Sequence, residues 1–265
     1  MDNRPVLFID SGLGGIPYCR EFIGNDIDEP VYYLADCENF PYGPRKKEDL
    51  ISIISSLTEK MIKKINPKIV VLACNTASIS AIVALRQTFA GLLFVGTVPA
   101  IKPASIASKS GKVGVLGTER TIADIRGLNL SECEIFGVAA PELVDFIERR
   151  FDFADENEKT QIVKKYLAPF HENEIDTLVL GCTHFLYLLK EFKREAYPSM
   201  KIFDSLDGIT KRIEHLLDEN EGALRAQKGL KPDRFLVLTG MQKPDSLWEN
   251  RARALGFKIC LLNEL

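Results

Sequence analysis

The chain has 265 residues with 34 basic and 37 acidic side chains, a formal charge of -3. So small a charge provides neither a polyanion-binding surface nor an acidic tail, and nucleic acid is not an expected partner. With 46% apolar residues the chain can bury a full core, as one large domain or two modest ones, which excludes disorder and fibrous architecture.

Met1 to Pro5 leads straight into the strand pattern Val6-Leu7-Phe8-Ile9, with neither the apolar core nor the cleavage site of a signal peptide, so a cytoplasmic location is expected. A second strand pattern follows at Val31-Tyr32-Tyr33-Leu34. Leu50, Ile53, Ile54, Leu57, Met61 and Ile65 then keep a 3.6-residue period that Pro67 stops. Ile69-Val70-Val71-Leu72 opens the longest apolar stretch, reaching Leu85. Asn75, Thr76, Ser78 and Ser80 interrupt it, so it reads as a strand followed by a helix rather than a membrane span. Further strands are expected at Leu92 to Val95, Val113 to Leu116, Thr177 to Leu180 and Phe235 to Leu238, with a last one near Phe257. Helices are expected to begin at Ile162 and to run from Ile209 to Leu217. Strands apolar on both faces and alternating with helices predict an α/β protein whose sheets are mostly parallel and covered on both sides. The best crossings between domains are Gly96 to Pro99 and Asp204 to Gly208, giving a first domain of 1–97 completed by 207–265 and a second of 98–206.

An internal echo supports two similar units. Ile69 to Thr76 resembles Thr177 to His184, with Cys74 and Cys182 standing 108 positions apart, and the same shift carries Asp10-Ser11-Gly12 onto Thr118-Glu119-Arg120.

In open α/β sheets ligands collect outside the carboxyl ends of the strands. Three ends stand out: Asp10-Ser11, Cys74-Asn75-Thr76 and Cys182-Thr183-His184. The first introduces Gly12-Leu13-Gly14-Gly15, a flexible turn whose spacing fits neither a P-loop nor a dinucleotide fingerprint. Helix starts after Cys74 and Cys182 would offer amides and hydroxyls to an anion, although such residues also commonly serve only as caps. Six cysteines lie far apart without a Cys-x-x-Cys pair, so reduced thiols and no metal site are expected. Cys19, Cys37, Cys133 and Cys260 read as small core residues. Cys74 and Cys182 differ, since each ends an apolar strand at an expected helix N-terminus, where the dipole lowers a thiol pKa. Two such thiols on opposite faces of one carbon would remove a proton from one side and deliver one to the other, inverting a stereocentre.

The segments Phe8-Ile9-Asp10-Ser11-Gly12-Leu13-Gly14-Gly15, Asn39-Phe40-Pro41-Tyr42-Gly43, Ala73-Cys74-Asn75-Thr76-Ala77-Ser78, Val98 to Pro103, Val113 to Thr118 and Leu180-Gly181-Cys182-Thr183-His184-Phe185 together resemble the glutamate racemases of the cofactor-independent amino-acid racemase superfamily. The resemblance runs from the N-terminus to about residue 205, and Leu238-Thr239-Gly240 with Leu255-Gly256-Phe257 is similar to the family's last strand and helix. It implies two α/β domains facing each other across a cleft, with Cys74 and Cys182 as acid/base thiols, Asp10 assisting Cys74, and His184 supported by Glu148 assisting Cys182. Ser11, Tyr42, Gly43, Asn75, Thr76 and Thr183 match substrate-holding positions, with Asp10 and His184 beside them and Thr118 and Thr121 bordering the same pocket. It further implies glutamate as substrate, no cofactor, a homodimer, and D-glutamate supply for peptidoglycan in the cytoplasm. Ile16-Pro17, Arg120 and Ala140 depart from the usual pattern, and the segment from Thr121 to Pro141 is short. Three readings stand beside this one: a racemase or isomerase of aspartate or another small acid, a cysteine-nucleophile enzyme, and a non-catalytic acid-binding protein.

Overall fold

Apolar runs become strands here because both sheet faces are covered. In the computed structural model, which describes residues 1–24, 27–125, 133–219, 223–229 and 231–265, β1 (Val6–Asp10) is buried along its whole length. It is followed by α1 (Ile16–Gly24), β2 (Val31–Ala35), α2 (Lys47–Ile65), β3 (Ile69–Leu72), α3 (Asn75–Thr88) and β4 (Leu93–Gly96). The period-3.6 face of α2 buries Leu50, Ile54, Leu57 and Met61 in one core with Leu7, Ile9, Val70 and Leu72. The helix ends where Asn66 turns left-handed at φ 44 and donates its N–H to the carbonyl of Ile62, one residue ahead of Pro67.

The chain continues through α4 (Ile101–Ala107), β5 (Lys112–Gly117), α5 (Glu119–Ile125), β6 (Glu134–Ala139), α6 (Pro141–Arg149), α7 (Glu156–Glu172) and β7 (Thr177–Leu180). A 3-10 helix at Thr183–Leu188 runs into α8 (Leu189–Glu195), followed by β8 (Lys201–Phe203), α9 (Leu206–Glu219), β9 (Arg234–Leu238), α10 (Ser246–Leu255) and β10 (Lys258–Leu261). Residues 1–97 and 206–265 form one compact unit, and 98–205 form another. The first holds a six-stranded sheet in the order β10-β9-β2-β1-β3-β4, the second a four-stranded sheet in the order β6-β5-β7-β8. Every pairing in both is parallel, so the α/β class with two helix-flanked parallel sheets holds.

The four-stranded sheet repeats the strand order of β2-β1-β3-β4, and pairing fixes the correspondence more finely than sequence does. Cys74 and Cys182 remain equivalent, each directly after the strands β3 and β7 and their small residues Ala73 and Gly181. The first strand, however, slips by one. Phe8 pairs with Val71, whereas Val115 rather than Leu116 pairs with Val179. Likewise Ala73 donates its N–H to Ile9 O, and Gly181 donates to Leu116 O. Asp10 therefore corresponds to Gly117, and Ser11 to Thr118, correcting the alignment of Asp10 with Thr118. The distinction matters because adjacent strand residues point to opposite faces. The backbone bonds also equate Asp36 with Ala140, since these donate to Asp10 O and Gly117 O respectively.

Two strands lacked a clear sequence pattern. β6 is a partly exposed edge strand containing Gly137, and β8 has only three residues. The centre of the short segment between Thr121 and Pro141, residues 126–132, lies outside the described residues. No helix among the described residues is long and apolar enough to cross a membrane.

Candidate active site

In the first unit β2, β1 and β3 are neighbours, so their carboxyl ends bring Asp36, Asp10 and Cys74 to one sheet edge. Asp10 is fully buried, and its Oδ1 accepts the Gly12 N–H at 2.7 Å, which bends the chain into the glycine turn. Tyr33 Oη fixes that turn by donating to Gly12 O at 2.8 Å and accepting the Gly15 N–H at 3.1 Å. A Cβ on Gly15 would lie 2.6 Å from Ala73 Cβ and 2.9 Å from Ala73 O, so only glycine lets the turn pack against the residue preceding Cys74.

Cys74 is 7% exposed, extended at φ -140, and stands at the N-terminus of α3. Behind it the Leu72 carbonyl accepts from Thr97 N, Thr97 Oγ1 and Ser78 Oγ, anchoring the end of β3. Ser11 and Thr76 are buried, as is Asn75, which is 3% exposed. Among the described residues neither Nδ2 nor Oδ1 of Asn75 meets a hydrogen-bond partner. An unpaired buried amide is costly to folding, so this one stands out among the polar groups at the strand end.

Tyr42 is buried and donates to Asp36 Oδ2 at 2.8 Å. Burial, reinforced by the Asp36 carboxylate and by Cys74 and Asp10, holds its phenol well above the usual tyrosine range, so it stays neutral. Gly43 is half-buried. Among the described residues no acceptor meets the backbone N–H of Tyr42 or of Gly43.

In the second unit Cys182 has nearly the same backbone as Cys74, at φ -138 and ψ 134, and is 6% exposed. The α-helix expected to begin directly after it is instead a 3-10 helix, Thr183–Leu188, a correction to the sequence reading. Its single short segment lacks the aligned run of peptide units behind an α-helical macrodipole. Polar support for Cys182 comes from a side chain. His184 Nδ1 lies 3.7 Å from Cys182 Sγ, and its Nε2 lies 2.8 Å from Oε1 of Glu148, which α6 presents. Burial by itself would depress the imidazole pKa, but bonding to Cys182 and Glu148 carries it well above the usual histidine value. With both nitrogens protonated, Nε2 donates to Glu148 Oε1 and Nδ1 to Cys182 Sγ, so one imidazolium links carboxylate and sulfur.

Thr118 accepts the Thr121 N–H at 3.2 Å and donates to Thr121 Oγ1 at 3.1 Å, so it caps the first turn of α5. Thr121 and Thr183 are buried.

The expected site residues thus gather as two sets. Asp10, Ser11, Tyr42, Gly43, Cys74, Asn75 and Thr76 share the carboxyl edge of the first sheet, while Thr118, Thr121, Glu148, Cys182, Thr183 and His184 belong to the second unit. Sequence reasoning missed Asp36, Tyr33 and Thr239. Asp36 and Thr239 both come directly after apolar strands, the same signal that singled out Asp10. All six cysteines are free thiols. Cys19 is fully buried, and burial pushes its thiol far up, which makes it a core residue. Among the described residues no group of three or more His, Cys, Asp or Glu side chains could hold a metal.

The described residues thus form duplicated parallel-sheet units of the α/β class, with cysteines at equivalent strand ends and one of them joined to an imidazole and a carboxylate. Glutamate racemase from Roseiflexus sp. (strain RS-1) is 33% identical over 249 residues, 89% of this chain and 90% of the relative. That of Mesorhizobium japonicum is 36% identical over 235 residues, 84% of this chain and 88% of the relative. The crystal structure of Escherichia coli glutamate racemase in complex with L-glutamate and the activator UDP-MurNAc-Ala superposes with a TM-score of 0.82 at 27% identity, covering 97% of each chain. No protein-family model matches the chain. The chain belongs to the glutamate racemase family.

Proposed function

We propose that this protein interconverts L- and D-glutamate by proton transfer at Cα, with Cys74 and Cys182 as the two acid/base groups. Inversion needs a base on one face of the carbon and an acid on the other, and the direction of reaction decides which thiol is ionised at the start. The observation that carries this reading is the equivalence of the two cysteines in register and backbone conformation, combined with different polar surroundings. Asp10 serves Cys74, whereas the Glu148–His184 pair serves Cys182; at the position equivalent to Asp10 the second unit has only Gly117.

The α-proton of an amino acid is a very weak acid, so charge developing at the carboxylate must meet fixed donors. Asn75, Thr76, Ser11 and Thr183 provide amide and hydroxyl groups for this, and the Tyr42 and Gly43 amides suit a second carboxylate. A substrate with two carboxylates fits that donor set. The names of the relatives favour glutamate over aspartate, and the activator named with the Escherichia coli enzyme supports a role in supplying D-glutamate for peptidoglycan. A cytoplasmic homodimer is part of the same reading.

Racemisation in heavy water tests the mechanism. Early product should carry solvent deuterium at Cα while unreacted substrate keeps protium. Early deuterium in the substrate pool would show one shared base and overturn the two-thiol assignment. Turnover of aspartate without turnover of glutamate would overturn the substrate.

A further inference from the structure

The six-stranded sheet extends beyond its duplicated part by two strands, β9 and β10, and β9 lies directly against β2. This addition carries a polar side chain to the racemase site. β2 and β9 pair in register, with Ala35 opposite Leu238, so the next residues, Asp36 and Thr239, leave the sheet side by side. Thr239 is 5% exposed. Its Oγ1 donates to Asp36 Oδ1 at 2.6 Å and accepts the Glu38 N–H at 3.1 Å, while its own N–H reaches Ala35 O at 3.2 Å.

Asp36 is fully buried, and a buried carboxylate is tolerable only when well supplied with donors. Besides Thr239 it accepts from Tyr42 Oη at 2.8 Å and from Asn39 Nδ2 at 3.0 Å to Oδ2 and 3.2 Å to Oδ1. Its own N–H donates to Asp10 O at 2.8 Å. One carboxylate thus joins the end of β9, the middle of the 36–43 segment and the phenol at its far end. Gly240 completes the clamp. At φ 69 it lies so close to Glu38 that a Cβ would stand 2.6 Å from Glu38 Cα and 2.8 Å from Glu38 N.

The second unit provides a contrast. Its counterpart of Asp36 is Ala140, its β6 is the sheet edge, and no strand there corresponds to β9 among the described residues. Carboxylate and hydroxyl therefore occur together in the one unit that has the Tyr42 segment to hold.

We infer that Thr239 is a positioning residue of the racemase site, acting through the Asp36 carboxylate to hold Tyr42 and the backbone amides of Tyr42 and Gly43 where substrate binds. This rests on the glutamate racemase reading. Thr239 touches no substrate; its effect passes through Asp36 to the segment that does. Thr239→Val keeps the shape but removes the donor to Asp36 and the acceptor for Glu38 N–H. Thr239→Ser keeps both.

The test measures kcat and KM for both glutamate enantiomers in the full chain, with thermal midpoints alongside. T239V should lower kcat/KM about tenfold, mostly through KM, while T239S returns it to the wild-type value. In a Tyr42→Phe background, where the phenol no longer reaches Asp36, T239V should cost less than about threefold more, because residues of one network do not lose independently. A T239V enzyme with wild-type KM, failure of T239S to rescue, or full additivity with Y42F would each overturn the inference while leaving the racemase reading intact. A wild-type chain inert toward both enantiomers would overturn that reading, and this inference with it.

Discussion

Glu148→Gln tests the part of the site that, in the proposed mechanism, supports Cys182. The Glu148–His184 contact is short, at 2.8 Å, and largely shielded, with side-chain exposures of 12% and 4%. A glutamine amide still accepts a hydrogen bond from Nε2, so the substitution removes the charge while keeping the contact. A hydrogen bond to a charged partner contributes about 1.5–3 kcal/mol and a neutral one about 0.5–1.5 kcal/mol, so the imidazolium loses on the order of 1–1.5 kcal/mol, roughly tenfold in its protonation equilibrium. The imidazolium that donates to Cys182 is stabilised less by that amount, and kcat/KM should fall by up to the same factor. Enantiomers have equal free energies, so kcat/KM must drop by the same factor in both directions. The separate kcat and KM values can split.

Two assays read this. Ring NMR of His184 in the wild type should show the imidazole holding its proton well above the ordinary histidine range of about 6.5, and E148Q should bring the titration down. Stability follows the same sign. A folded-state pKa above the unfolded one stabilises the protein fully below the unfolded value, and that contribution disappears as pH rises through the folded value. The wild type's advantage over E148Q in denaturant midpoint should therefore be greatest below about pH 6.5 and shrink as the solution becomes alkaline. If His184 titrates at or below the ordinary value in the wild type, or if E148Q leaves both the titration and kcat/KM unchanged, the role given to the Glu148–His184 pair beside Cys182 is refuted.

Cys74→Ser and Cys182→Ser should each reduce racemisation by a factor on the order of 10² to 10⁴, the usual worth of a positioned acid/base group; retention of near-full activity by either one, measured by polarimetry, would remove it from the mechanism. Asn75→Ala should lower kcat/KM while the thermal midpoint stays level or rises, since truncation removes a buried amide whose two polar atoms have no partner among the described residues. A lower midpoint with unchanged kinetics would assign Asn75 to folding instead. Gly15→Ala places a methyl against Ala73 Cβ and O at 2.6 and 2.9 Å, and a urea titration should show a loss of about 1–3 kcal/mol, typical of overpacking a rigid core. An undiminished midpoint would mean the glycine turn is not held as tightly against the Cys74 strand end as its geometry requires.

Which features are legible in the sequence depends on where each signal originates. β1, β3, β5 and β7 are central strands covered on both faces, so burial imposes unbroken apolar runs that end at the first polar residue, and this is why Asp10, Cys74 and Cys182 stand out. β6 and β8 are edge strands with exposed positions, and their composition carries no such constraint. Register is hidden for another reason: it is set by hydrogen bonds between strands, so matching strand ends by eye places Asp10 on Thr118 when pairing places it on Gly117. The Thr239–Asp36 bond spans 203 positions and exists only because β9 takes its place beside β2, a matter of strand order that no local pattern encodes.

The asymmetry of the two thiols has a related origin. Duplication reproduces what the backbone dictates: a strand, a small residue, then a cysteine in extended conformation. It does not reproduce side chains that arrive from elsewhere in each unit. Asp10 has become glycine at the equivalent place, Thr76 has become His184, and α6 brings Glu148 to that imidazole. In the proposed racemisation, two bases acting at one carbon need matched geometry but not matched chemistry. On that proposal each thiol requires only a partner that can exchange or balance its proton, and a carboxylate for one and a charge-balanced imidazole for the other would meet that requirement in different ways.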